Sequence, residues 1–159
     1  MIKLLKLLEQ DCTLTDEQLA SMTDMTLEEV IAAKAKLEAE KIVLGYKAIV
    51  DWDRTQREAV TALIEVKVTP QRGEGFDRIA ERIYQYDEVE SVYLMSGAFD
   101  LTVIISGRTL KEVALFVGEK LAPLDDVTGT ATHFILRKYK EKHLIFDKRE
   151  MQQERFVPD

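Results

Sequence analysis

Residues 92–105 read VYLMSGAFDLTVII, and the way this run divides decides the fold. Its two ends are rich in β-branched and aromatic residues, which favour strand. Its middle, Ser96-Gly97-Ala98, reads as a turn. The division predicts two strands, 89–95 and 99–105, joined around Gly97. A lone carboxylate, Asp100, stands at the start of the second strand, where burial costs stability unless a donor meets it. Strand alternation sends Phe99, Leu101, Val103 and Ile105 to one face and Asp100, Thr102 and Ile104 to the other.

Working outward, residues 59–68 (AVTALIEVKV) alternate as a strand, with Ala62, Ile64, Val66 and Val68 on one face. Pro70 should end it, and PQRGEG should turn. Phe76, Ile79, Ala80, Ile83 and Tyr84 then follow helical spacing. On the other side, Thr109 and Glu112 form a capping-box start for a helix with Leu110, Val113, Ala114, Val117 and Leu121 on one face. Pro123 stops it, and 127–138 is a last strand. The order is βαββαβ, the ferredoxin-like arrangement of an antiparallel sheet with both helices on one face. Its other face must meet solvent or another subunit.

The first 50 residues follow a different rule. Ile2, Leu4, Leu5, Leu7 and Leu8 predict a short amphipathic helix. Thr15 with Gln18, and Thr26 with Glu29, are two further capping boxes eleven residues apart. The third helix should run over 27–41. Three short helices with a tight turn between the last two make a helix-turn-helix unit. Ile42, Val43, Tyr46, Ile49 and Val50 then favour strand, with Gly45 suited to a bend or a close approach. The chain is thus α+β, a helix-turn-helix (winged-helix-like) unit over 1–53, a ferredoxin-like βαββαβ sandwich unit over 54–140, and a charged arm over 141–159. The arm reads as a short extension or helix, frayed from Met151.

Composition narrows the function. The 159 residues are 46% apolar and 32% charged, with a net charge of −7, as in an ordinary soluble protein. No apolar run approaches the ~20 residues that span a bilayer. Cys12 is the only cysteine, so no internal disulfide can form, which points to a reducing cytoplasm. The two histidines, His133 and His143, lack metal-ligand spacing. There is no G-x-S-x-G, P-loop or G-x-G-x-x-G pattern. The expectation is a non-enzyme with no catalytic residue, metal or cofactor.

These features together resemble the Lrp/AsnC, or feast/famine, family of transcription regulators. The likeness rests on KLEAEKIVLGYKAIVD leading from the third helix into a connecting strand, on the βαββαβ order, and on SGAFD, which matches the family's Gly-x-x-Asp. It covers nearly the whole chain. It implies a cytoplasmic regulator that binds DNA, pairs through its sheet units into a homodimer, and assembles further into a tetramer or octamer without a membrane partner. It also implies an amino acid or related small metabolite bound near Met95, Gly97, Ala98, Phe99 and Asp100. Thr130 and Thr132, of equal parity on the last strand, would line the same interface. The plainer reading is that Gly97 is a hairpin glycine and Asp100 pins the turn by accepting backbone N–H groups. One carboxylate can do both.

For DNA, the expected contacts are Thr26, Lys34, Lys36 and Lys47. The charge opposes them. Residues 1–50 hold six lysines, no arginine and nine acids. On the third helix Leu27, Val30, Ile31 and Leu37 make an apolar stripe. Glu28, Glu29, Ala32, Ala33, Lys36, Ala39 and Glu40 face away, Ala33 standing where the family usually has arginine. Lys34 falls on the apolar stripe and should snorkel or pair with an acid. Residues 137–149, with six bases and two acids, offer further phosphate contacts. The alternative is an amino-acid-binding and oligomerisation protein whose helical unit contacts protein rather than DNA.

Overall fold

The computed structural model describes residues 1–69 and 75–146. The chain divides into two compact units, Met1–Val50 and Asp51–Asp159. The expected PQRGEG turn falls almost wholly on 70–74, outside the described residues, as does the arm beyond 146.

The first unit holds α1 (Ile2–Gln10), α2 (Asp16–Thr23) and α3 (Leu27–Ala39). Both expected capping boxes are present: the Thr15 and Thr26 hydroxyls accept from the Gln18 and Glu29 N–H groups, and those side chains reach back to the cap N–H groups. Asp24, in the left-handed conformation (φ 59°), turns the chain between α2 and α3. Leu4, Leu8, Leu19, Val30, Ala33 and Leu37 form the core between the three helices. Ala33 is therefore a core residue rather than an outward one, while Ile31 is 49% exposed. The inward stripe is Val30, Ala33 and Leu37, rotated from the expected one because the α1 and α2 leucines approach α3 from that side.

Helix α3 stops two residues earlier than expected. Lys41 is left-handed (φ 58°), and its N–H and that of Ile42 bond back to the Glu38 and Leu37 carbonyls at 3.1 and 2.9 Å. This is a Schellman closure with lysine in the usual glycine place. The expected strand after it is not a paired strand. Residues 44–50 form no ladder and are exposed, Leu44 at 86%, because the described chain brings no backbone partner alongside. A Cβ at Gly45 would meet nothing within 4 Å, so no close approach occurs there.

The second unit contains β1 (Val60–Val68), α4 (Asp77–Tyr84), β2 (Val89–Leu94), β3 (Leu101–Gly107), α5 (Leu110–Phe116) with a wider π turn over Val117–Leu121, and β4 (Val127–Phe134). The sheet order is β2-β3-β1-β4, every neighbour antiparallel, as the βαββαβ order predicts. Ala62, Ile64, Val66, Leu101, Val103 and Ile105 pack against Ile79 and Ile83 of α4 and Val113, Phe116 and Leu121 of α5 and its π turn. The expected α5 face is shifted. Leu110 is exposed while Val113 and Phe116 are buried, and the π turn that follows, closed by the Ala122 N–H on the Val117 carbonyl, rotates the residues after it and ends with Leu121 in the core. The expected last strand ends at Phe134. A small hairpin follows, β5 (Lys140–Glu141) and β6 (Leu144–Ile145), turning at Lys142 and His143, both at positive φ. The start of the arm is thus a hairpin, not a helix.

Candidate functional site

The 95–100 turn answers the question Asp100 raised. The Met95 N–H donates to the Asp100 carbonyl at 2.8 Å, and the Asp100 N–H donates to Val66 at 3.0 Å. The β1–β3 ladder ends with Val66 opposite Leu101. Val68, two residues on, points its N–H towards β3 where no backbone carbonyl remains. Asp100 Oδ2 accepts that N–H at 2.9 Å. The carboxylate thereby extends the ladder by one rung and fixes the turn to the central strand. A charge-assisted bond of this kind is stronger than a neutral one.

The turn itself is open. Residues 95–98 are exposed, and Phe99 and Asp100 are half-buried. Gly97 does not use the left-handed region: the positive-φ glycines among the described residues are Gly45 and Gly75. The turn therefore does not demand glycine for its backbone shape. A Cβ at Gly97 would meet nothing within 4 Å, so what glycine leaves there is bare main chain facing open space. Phe99 lies before β3 and is absent from the side chains packed on the core, which corrects its expected inward placement.

Thr130 and Thr132 share a face, as their parity requires, but it is not the face of Asp100 and Thr102. They pair with Val66 and Ile64, whose side chains lie in the helix-covered core. Cross-strand partners point the same way, so both threonines stand on the helix side of edge strand β4. The open side of the sheet carries Leu63, Glu65, Thr102, Ile104, Ala131, His133 and Tyr93, as the pairings fix it. Thr102 is buried there at 5% exposure and Tyr93 is 52% exposed. His133 Nε2 lies 3.4 Å from Glu65 Oε1.

The expected DNA contacts separate. Lys34 Nζ bonds Asp16 Oδ1 at 2.6 Å, tying α3 to α2. The Asp16 carboxylate raises the Lys34 pKa, so this lysine pairs with an acid as expected and is held inside the unit. Thr26 serves the capping box. Lys36 is exposed, 3.8 Å from Glu40, and Lys47 is exposed on the segment after α3. The Tyr46 hydroxyl donates to Glu38 at 3.0 Å. Burial first, then that bond, raises its pKa. A feature the sequence did not flag is a cavity of about 240 Å³ between the end of β3 and α5, lined by Glu88, Ser106, Glu112, Phe116 and Lys120 among others. Glu88 and Lys120 pair across it. Nothing in the spacing of Glu88 and Lys120 predicted the pair, because it spans two elements.

Residues 61–145 match the family model of the Lrp/AsnC ligand binding domain. The chain is 48% identical over 146 residues to an uncharacterized HTH-type transcriptional regulator, YugG, of Bacillus subtilis, covering 91% of this chain and 88% of that one. Two solved structures have the same fold. One is a transcriptional regulator of Neisseria meningitidis in complex with L-Met (TM-score 0.71, 19% identity, 94% and 96% of the two chains). The other is a feast or famine regulatory protein of M. tuberculosis complexed with L-methionine (TM-score 0.71, 19% identity, 88% and 92%).

Proposed function

Since the chain belongs to the Lrp/AsnC family of HTH-type transcriptional regulators, we propose that it answers to an amino acid or a related small metabolite, bound beside the 95–100 turn where a second copy covers the open sheet face. The single observation that carries this reading is the turn: locked to β1 through Asp100 and Val68, yet exposed along 95–98. A rigid exposed shelf loses little freedom when a ligand settles on it. The main-chain N–H groups at Gly97 and Ala98 suit a carboxylate. The Asp100 carboxylate, with Oδ2 on Val68, offers its other oxygen to an ammonium. Met95 and Phe99 flank the side chain of the guest. Thr130 and Thr132 are left out, being on the helix side. Two structures of the same fold carry L-methionine, which supports this ligand class.

Helices cover one sheet face, so the partly apolar other face gains by pairing with its own copy. The exposed apolar residues Ile42, Leu44, Tyr46, Ile49 and Trp52 offer further surface for the same union. The regulator is then a cytoplasmic homodimer or a tetramer or octamer built from dimers, and not an enzyme. Effector and DNA communicate by linkage: a guest that prefers one assembly shifts the spacing of the α3 helices.

Sedimentation should give a dimer or larger, and lone monomers at working concentration would overturn the reading. A thermal-shift series across the amino acids should single out a few stabilising ligands, since a guest at a hundred times its Kd adds about 2.7 kcal/mol to the native state. Uniform curves would reject the sensor.

A further inference from the structure

Apart from Lys36 in its last turn, 3.8 Å from Glu40, the outward surface of α3 offers no free side chain of the kinds that read guanine and adenine. Arginine and lysine pair with guanine, asparagine and glutamine with adenine, and apolar side chains touch the 5-methyl of thymine. Residues 27–39 contain no arginine, asparagine or glutamine. Of the polar groups nearby, Lys34 is held by Asp16, Thr26 and Glu29 cap the helix, and Glu38 accepts the Tyr46 hydroxyl. With Val30, Ala33 and Leu37 turned inward, helical spacing sets Glu28, Ile31, Ala32, Ala35 and Ala39 outward, all of them exposed. Ile31, 49% exposed, and Leu27, 36% exposed, are the large groups on that side, and neither is needed for the core. In a helix-turn-helix the second helix presents its N-terminal residues to base edges in the major groove.

Building on the DNA-binding role, we propose that α3 reads its operator through thymine methyl groups, with Ile31 as the principal specificity residue and Leu27 and Ala35 beside it. The short alanine side chains let the helix lie close to the groove floor. Phosphate contacts fall to lysines beyond the N-terminal turns of α3, among them Lys36 in its last turn and Lys47 after it.

Duplexes enriched from a random-sequence pool by the full-length protein at low salt supply the probe. Each thymine is then replaced by uracil, which deletes only the methyl. Affinity should fall about fourfold at one or more thymines per half-site, the loss expected for one buried methyl. In Ile31→Ala, which changes an exposed side chain, the uracil penalty at one of those positions should vanish while the salt slope is unchanged. Specific binding indifferent to every uracil, or abolished instead by 7-deazaguanine, would overturn the methyl reading and leave DNA binding intact. Failure to retain any duplex would instead reject the DNA-binding role, and this inference with it.

Discussion

The two units are held together by signals of different range. In the helical unit the ends of α2 and α3 are set by side chains three residues apart, and the Schellman closure by backbone bonds of similar reach. In the sheet unit Ala62 pairs with Ile105 on one side and Phe134 on the other, and even the 95–100 turn depends on Val68. Damage to a cap should therefore stay local. Damage to β1 should reach every strand beside it.

The strongest way to break this contrast is at the central strand. Ile64, fully buried in β1, has core partners from both helices of its unit. Ile64→Ala should cost about 2–5 kcal/mol, read by urea unfolding, with the sheet signal lost before the helical one. Equal loss of both at one midpoint would show that the units unfold together. Next is the tie between turn and strand. Asp100→Ala orphans the Val68 N–H and should cost about 1–3 kcal/mol. Asp100→Asn, which keeps an acceptor, should cost less in the same measurement. If the two variants match, the bond is not what holds the turn.

Smaller effects test the helical side. Thr26→Ala removes the α3 cap and should cost about 1 kcal/mol, seen as a lower Tm with amide exchange faster only in the first turn of α3. Exchange accelerating through the sheet would refute the local picture. Lys34→Met breaks the pair with Asp16, both partners partly exposed, and should cost less than about 1 kcal/mol. Its DNA salt slope should match the parent, because this lysine faces Asp16; a drop near one unit would return it to the phosphates. The smallest effect is a pH dependence. The Lys120 ammonium beside Glu88 holds that carboxyl below its usual range. A lowered acid adds stability that is complete above the ordinary carboxylate range and fades as pH falls through it. Glu88→Gln should flatten that acid limb, as a stability–pH profile would record.

The same contrast explains what could be foreseen. The caps at Thr15 and Thr26, the alternation of β1 and the order of elements were legible because each is written in neighbouring residues. Ala33 was misplaced because a small apolar residue fits either side of a helix, and only the approach of α1 and α2 decides. Phe99 fits β3 by parity, but the ladder stops at Leu101. The parity of Thr130 and Thr132 was readable, yet which sheet face they share was not, since it depends on pairing with β1.

Sequence alone therefore determined the three N-terminal helices, the βαββαβ order and the family resemblance, because helix starts and strand alternation follow from backbone hydrogen bonds and side-chain period over a few residues. Tertiary structure alone decided the partner of Asp100, the side on which Thr130 and Thr132 stand, and the confinement of Lys34. Those depend on which strand or helix arrives alongside, and a carboxylate, a hydroxyl and an ammonium each take the nearest group that satisfies them, however far away it lies in the chain.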